Sequence, residues 1–418
     1  MNRKSYIFID RQVSDYAQLV AHAKPDSEVI LLASDRDGIV QITDVLKRSQ
    51  NVAEVHLVAH GSPDCLYLGN TQFDLASLGH YTDLLKQWRG AIAGCADILL
   101  YGCRVAATGM GLVKALHRLT GANIAAASHV VGNGNWTLDR QVGTVSTAIA
   151  FTPALQQSYA GTFAVAYALS NNSLIAFDTS NPDQANAAIA ITGLGTGETL
   201  VGIDIRPQNG LLYGLTTNGA GGVRLYTIST QSGFATPLST APVQFNNSGT
   251  PVPITGTSFG FDFNPFADRV RVVTNTGFNF RIDPNTGGLV DGDNNAGNGI
   301  TPDSTINGPG TTVDAAAYTN NSPNVSATTQ YTLDAASNTL FIQNTPSSGT
   351  QTAGVVVTLG GSPLDFTAIN GFDIPAGVNA ATSNAPATGL AYAALTVAGV
   401  TQLYSIELST GVATAINT

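Results

Sequence analysis

Two short apolar runs constrain this chain more than anything else in it: Val55-His-Leu-Val-Ala-His60-Gly61 and Ile98-Leu-Leu-Tyr-Gly-Cys103-Arg-Val105. Helix-like sequence lies between them. Runs of this length, apolar on consecutive residues, are expected as buried strands of a parallel sheet, since a strand with one wet face would alternate. In such sheets, ligands and chemistry collect just beyond the carboxyl ends of the strands. His60 and Cys103 both stand at such an end. If the two strands are neighbours, an imidazole and a thiol face one crevice, which is the pairing a thiolate nucleophile needs.

The surrounding sequence fits that frame. Strands are expected over residues 5–9, 28–33, 55–59, 97–101 and 123–127. Helices are expected from Ser34-Asp35 to Leu46, over Leu84–Ala93 with Trp88 on the apolar face, and over Thr108–Leu119, ended by Gly121. Cys65–Leu68 and Thr71–Phe73 form a small hairpin about Gly69-Asn70. Strands alternating with helices predict a doubly wound α/β sheet. Trp136 is expected over its edge. Residues 156–163 read as a linker, so the first domain is placed at 1–160 and a second at 166–418.

At 418 residues the chain is long for one domain. From about Val165 the helical spacing stops, and short strands punctuated by Gly, Asn and Pro replace it. One phrase recurs at Leu174-Ile-Ala-Phe-Asp178, Leu225-Tyr-Thr-Ile-Ser229, Phe280-Arg-Ile-Asp283 and Leu403-Tyr-Ser-Ile-Glu407, with Tyr331-Thr-Leu-Asp334 as a degenerate copy. A second phrase, Gly-x-Asp-x, occurs at Gly202–Ile205, Gly260–Phe263 and Gly371–Ile374. The period is roughly 50–60 residues, which predicts a β-propeller of about five blades. Val412–Ile416 is expected to help close the ring. The alternative is an irregular β-sandwich or a stack of small sheets.

Charge divides at the same place. Residues 1–164 carry 13 Lys+Arg and 13 Asp+Glu, leaving 5 and 15 of the chain's 18 and 28 to residues 165–418. The second part has no lysine. Nucleic-acid binding there is not expected, because phosphate neutralisation needs Lys and Arg. A lysine-free acidic surface rich in Asn, Thr, Gly and Ala accompanies extracellular β-proteins. No run of about 18 apolar residues predicts a membrane span. The start, Met1–Asp10, reads as a first strand rather than a signal peptide. An extracellular or cell-surface protein without a recognisable N-terminal signal peptide is expected.

Three cysteines, Cys65, Cys95 and Cys103, are an odd number in one quarter of the chain, with no zinc spacing. Cys103 is the candidate nucleophile and His60 its base, since a histidine or a helix N-terminus lowers a thiol's pKa. Gly61 and Gly102 are expected to let a substrate backbone approach, and backbone N–H groups beside them to stabilise an oxyanion. The plain alternative is a buried thiol in a tight turn. His56 shares the strand parity of His60, and His129 is another strand-end histidine. Asp291-Gly-Asp293-Asn-Asn295-Ala-Gly297 imitates the start of a calcium loop. Ala296 and Pro302 stand where an EF-hand needs Gly and Glu, so only a looser calcium site is left open there, and no other cofactor is expected. Asp204, Asp262 and Asp373 are expected to cap turns rather than to share a site.

The residues His60-Gly61, Tyr101-Gly102-Cys103 and Asn135-Trp136-Thr-Leu138 carry a resemblance. The first domain resembles the uncharacterised N-terminal domain of large bacterial surface and adhesin-like proteins, itself similar to the caspase–gingipain cysteine peptidases. That resemblance implies a caspase-like fold, with His60 and Cys103 at the dyad positions. Tyr-Gly stands before the cysteine where caspases have Gln-Ala, and Arg104-Val105 replaces Arg-Gly. The second part is similar to an uncharacterised bacterial β-propeller-like family through Gly202-Ile-Asp-Ile-Arg-Pro207, Leu211–Leu215, Gly260–Pro265 and Phe280–Asp283. It implies a binding module.

The expected function is a cysteine endopeptidase acting on protein or peptide, with the propeller recruiting substrate. Its rival is a non-catalytic surface or adhesion protein, binding a cell-surface or matrix ligand, with the α/β domain as a structural cap. A third expectation is self-cleavage within residues 156–163.

Overall fold

The computed structural model describes residues 3–416 except 14, 63, 76, 108, 133, 160–162, 164, 178, 180, 181, 183, 184, 186, 187, 231, 294 and 296. The expected helix start at Thr108 and the phrase end Asp178 therefore lie outside the described residues. Strands hold 42% of the chain and helices 12%, so the protein is mostly β, built from several sheets. It divides into two compact units: residues 1–167 with 176–187, and residues 168–175 with 188–418.

In the first unit a six-stranded sheet runs in the order β2 (Ser27–Leu32), β1 (Lys4–Asp10), β3 (Val52–Val58), β7 (Ile92–Leu100), β8 (Asn123–Ala126), β9 (Arg140–Val142). All pairings are parallel except the last, which is antiparallel. A separate three-stranded sheet, β4 (His60–Ser62), β5 (Cys65–Leu68) and β6 (Thr71–Phe73), follows β3 directly.

The continuous apolar strands are buried on both faces, with alternate residues entering different cores. Tyr6, Phe8, Val55, Leu57, Ile98 and Leu100 face one cluster. It is completed by Ile39, Ile42 and Leu46 of α2 (Gly38–Leu46), Leu85, Trp88 and Ala91 of α3 (Leu78–Ala91), and Leu112, Val113 and Leu116 of α4 (Gly111–Thr120). Ile7, Ile9, Val58, Leu99 and Tyr101 face the other, covered by Leu19 of α1 (Tyr16–Ala21), Leu155 of α5 (Pro153–Ser158), Trp136 and Phe163. Gly121 ends α4 in the left-handed region at φ 77°, as its position implied.

Three expectations are corrected here. Helix α2 starts at Gly38, not at Ser34-Asp35: the Asp37 carboxylate caps it by accepting the Val40 N–H, and a Cβ on residue 38 would lie 2.5 Å from Leu68. Of the expected linker, residues 156–158 belong to helix α5, capped by Thr152, and Phe163 is fully buried; residues 160–162 lie outside the described residues. Trp136 does not cover the sheet edge. It sits in the second core, with Phe151, Tyr159 and Phe163 at ring distances of 5.3, 5.5 and 5.6 Å.

The second unit consists of sheets in chain order that are antiparallel apart from the parallel pairing of Thr358–Leu359 with Val412–Ala415. A three-stranded sheet comprises Ala166–Ser170, Ser173–Phe177 and Ile189–Ala190. Three four-stranded sheets open at Thr199–Ile205, Phe259–Asn264 and Ala315–Tyr318. The last sheet has six strands, with Phe366–Asp373 at one edge and the earlier strands Thr358–Leu359 and Ser362–Pro363 at the other. The Gly-x-Asp phrases thus lie on edge strands, which are the first strands of their sheets at Gly202 and Gly260. Gly202 is required because a Cβ there would lie 2.7 Å from Phe261 Cβ, and one on Gly260 would lie 2.6 Å from the Ala316 nitrogen. Each glycine lets its strand pack closely on the opening strand of the next sheet. The other phrase marks third strands at Leu225, Phe280 and Leu403, but Tyr331 lies on a second strand, so it is no copy. Val412–Ala415 pairs with Val400–Glu407 and with Thr358–Leu359. It completes the last sheet and does not reach the first.

Candidate active site in the first unit

The sequence brings His60 and Cys103 to adjacent strands because β3 and β7 pair in parallel, with Leu57 opposite Leu100. The Tyr101 N–H continues the ladder by donating to the Leu57 carbonyl at 2.8 Å. Beyond that point the two chains remain in contact. A Cβ on Gly61 would lie 2.7 Å from the Cys103 nitrogen and from Gly102 Cα, and one on Gly102 would lie 2.5 Å from Leu66 Cδ2. Gly61 is therefore demanded by the close approach of another protein segment's backbone, whereas Gly102 faces the side-chain ends of Leu66 and Val105.

Two backbone donors converge here. The Gly61 N–H (2.8 Å) and the Cys103 N–H (3.4 Å) both point at the carbonyl oxygen of Phe163. The Phe163 N–H in turn donates to the Val131 carbonyl at 3.1 Å. The Val131 N–H donates to Cys103 Sγ at 3.2 Å. Phe163 is thus held by its ring in the aromatic cluster and by its peptide groups at the cysteine. Cys103 is 1% exposed. After it the chain turns at Arg104, φ 58°, whose N–H donates to the His129 carbonyl.

His60, 3% exposed, places Nε2 3.1 Å from the Gln12 carbonyl. Gln12 N–H donates to Asp10 Oδ1, and Asp10 also accepts from the Gly69 N–H. Asp10 stands at the carboxyl end of β1, next to β3, and is buried. Burial raises its pKa, while hydrogen bonds and the nearby His60 act in the opposite direction. Asp10 and Phe163 are the two site residues that sequence reasoning missed. Asp10 had a signal, an acid closing an apolar strand. Phe163 had none, because its part is played by backbone atoms.

The other candidates lie elsewhere. His56 is fully buried within β3, 3.0 Å from the Tyr101 hydroxyl and 3.6 Å from Glu54; burial lowers its pKa, and it is a core histidine. His129 Nε2 lies 3.6 Å from Asp139, whose carboxylate also accepts from the N–H and Oγ of Ser128. All three cysteines are thiols rather than disulfide halves; Cys65 is buried and Cys95 exposed. Burial raises the Cys65 pKa strongly.

In the second unit Asp291 accepts from Thr301 and Asp293 from Asn295 and Asn298. The calcium-like stretch is a polar loop closed on its own donors; residues 294 and 296 lie outside the described set. Asp204, Asp262 and Asp373, expected as separate turn caps, come together instead. One carboxylate oxygen from each lies within 4.8 Å of the others.

A family model described as Domain of unknown function (DUF4394) matches residues 173–418, more than half of the chain. The chain belongs to the DUF4394 family. Ahead of its DUF4394 region, residues 6–163 match a second family model, Domain of unknown function (DUF4347). Neither description names a peptidase. No curated protein matches this DUF4394 chain. Among solved structures, the computationally designed Ika8 protein is 12% identical, with 60% of each chain covered and a TM-score of 0.26. Sqt1 of Saccharomyces cerevisiae is 12% identical, with 62% of this chain and 76% of that one covered, at 0.28. BamB of Moraxella catarrhalis is 13% identical, with 60% of each covered, at 0.24. The chain therefore spans 60% of the Ika8 and BamB chains.

Proposed function

We propose that the first unit is a cysteine endopeptidase domain of caspase-like fold. The observation that supports this reading best is the pair of N–H groups, Gly61 and Cys103, aimed at one carbonyl oxygen beside a strand-end His and Cys. Donors arranged in this way are what a tetrahedral oxyanion requires. His60 takes the proton of the Cys103 thiol, and the thiolate attacks the scissile carbonyl carbon. The carbonyl oxygen becomes the oxyanion bound by the two amides. His60 returns the proton to the leaving amine, and water then releases the acyl group from sulfur. Asp10 is a positioning residue, acting on His60 through Gln12. The Phe163 carbonyl occupies the donor pair, so a substrate must displace it. The second unit serves as a propeller-like substrate-binding module acting outside the cytoplasm; the packing of successive edge strands supports this reading.

One observation favours a second reading. Cys103 is almost fully buried and its sulfur accepts the Val131 N–H, as suits a structural thiol in a non-catalytic surface or adhesion protein. Intact mass decides between the two. Wild type and Cys103→Ala are incubated alone and with a mixed protein substrate. Cleavage by the wild type only is the expected result. Self-cleavage, if it occurs, falls immediately after Phe163, whose carbonyl the amides hold. No cleavage by either protein transfers the assignment to the non-catalytic reading.

A further inference from the structure

The second unit carries a charge arrangement that its own side chains do not balance. Residues 165–418 contain five cationic side chains, all arginines. Each is paired elsewhere: Arg206 with Asp268, Arg224 with Glu198, Arg269 with Asp283, and both Arg271 and Arg281 with Asp303. Asp204, Asp262 and Asp373 converge from the edge strands of three different sheets, with one carboxylate oxygen of each within 4.8 Å of the others.

Their placement follows from the repeat. The phrases at Gly202 and Gly260 put their carboxylates against the opening strand of the next sheet. Asp204 Oδ2 accepts the Phe263 N–H at 2.9 Å, and Asp262 accepts the Tyr318 N–H. In the sheet between Asp262 and Asp373 the corresponding position is Ala317, which removes a fourth carboxylate. Exposure is graded: Asp373 is exposed, Asp204 half-buried and Asp262 2% exposed. The cluster therefore opens to solvent on one side and has a deep acidic floor.

That floor holds the observation that points to a ligand. Asp262 Oδ1 is buried and has no hydrogen-bond partner among the described residues. An orphaned carboxylate oxygen in a dry site carries a large desolvation penalty. Burial first, and then the two neighbouring carboxylates, drive the Asp262 pKa well above the ordinary range.

We propose that Asp204, Asp262 and Asp373 bind one divalent cation of the calcium class. Hard oxygens without Cys or His select Ca²⁺, Mg²⁺ or Mn²⁺ over the softer metals. Calcium is bound at roughly 2.3–2.6 Å, so three oxygens that all lie within 4.8 Å of one another can share one ion. Magnesium demands a near-ideal octahedron and keeps several waters, which a set with one deeply buried carboxylate accommodates less readily. Water on the exposed Asp373 side completes the coordination. The ion ties together three sheets that are far apart in sequence. Its role is structural and independent of the peptidase reading.

The test uses the full chain, stripped with EDTA and exchanged into chelator-free buffer. CaCl₂ is titrated in by isothermal calorimetry, with MgCl₂ and MnCl₂ as comparison arms, and unfolding is followed by scanning calorimetry. The expected result is one saturable site, with calcium preferred, and a higher Tm with the ion. Asp262→Asn abolishes the binding while its metal-free Tm stays at or above that of wild type, because a neutral amide replaces a carboxyl group whose ionisation burial and two like charges oppose. A purely structural carboxylate would lower it. Asp373→Asn, at an exposed position, provides the same test should Asp262→Asn not fold. Asp293→Asn, in the polar loop, keeps full binding. The proposal is overturned if none of the three ions binds, or if binding survives Asp262→Asn or Asp373→Asn and is lost in Asp293→Asn.

Discussion

At Gly61 a single hydrogen in place of a methyl group decides whether the site exists. A Cβ there meets the Cys103 nitrogen and Gly102 Cα at 2.7 Å, and all of these are backbone, which cannot rotate away. Gly61→Ala should destabilise the first unit by roughly 1–3 kcal/mol or more, measured by urea unfolding, even though β4 otherwise accepts alanine. An unchanged midpoint would mean that the two strand ends are not packed as described. Asp97 is a buried acid whose charge contributes to stability. It is 2% exposed. Its carboxylate accepts from Asn123 and from the N–H and hydroxyl groups of Ser146 and Thr147. Burial opposes the charge, but these donors outweigh it and hold the pKa below 3.8. The group's folded value is depressed, so its stabilisation is complete above the unfolded value and is lost as pH falls through the folded one. Melting of the first unit should therefore be flat near neutrality and fall steeply below about pH 4, the ordinary range of a carboxylate. Asp97→Ala should cost about 3 kcal/mol at pH 7 and flatten that fall. An acid limb of equal slope in the variant would show that another group controls it.

The helices of the first unit depend on packing more than on local signals. Helix α3 shows this: Asp74 and Ser77 bond reciprocally in the turn ahead of it, but its fit to the sheet rests on Leu85, Trp88 and Ala91. Trp88 is fully buried, and its indole N–H donates to Thr43 Oγ1 of α2 at 2.8 Å. Trp88→Ala should cost about 3–5 kcal/mol in chemical unfolding, while Trp88→Phe, which keeps most of the volume and loses the hydrogen bond, should cost clearly less. Equal losses would place the energy in the hydrogen bond and not in the packing. In the second unit the corresponding elements are the first strands Thr199–Ile205 and Phe259–Asn264. Their Gly-x-Asp sequence combines a close approach to the next sheet with a carboxylate that reaches its backbone.

Across the whole chain, the hydrophobic clusters are drawn separately from the two units. The helix-covered sheet uses residues between Tyr6 and Phe163, and the antiparallel sheets use residues from Tyr213 onward. Separate cores predict separate unfolding events, so scanning calorimetry should resolve two transitions. Acid should lower the one belonging to the first unit through Asp97. A single sharp transition with equal calorimetric and van't Hoff enthalpies would mean that the units unfold as one.

The strand-end placement of His60 and Cys103 was legible in the sequence because apolar runs, helix spacing and the glycines that follow them are local signals. So were the change from helix-rich to strand-only sequence near Val165, the hairpin at Gly69-Asn70 and the C-cap at Gly121. Each depends on residues within a few positions of one another, where period and backbone preference act directly. Three features were settled only by the tertiary structure. Phe163 reaches the Gly61 and Cys103 amides through a backbone carbonyl, which no residue type announces. Residues 156–163 look like a linker, but Phe163 is held in an aromatic cluster with Trp136, Phe151 and Tyr159. Asp204, Asp262 and Asp373 look like three separate turn residues, roughly 60 and 110 positions apart in sequence. Only the stacking of successive edge strands brings their oxygens together, because contacts between sheets depend on long-range packing and leave no local period to read.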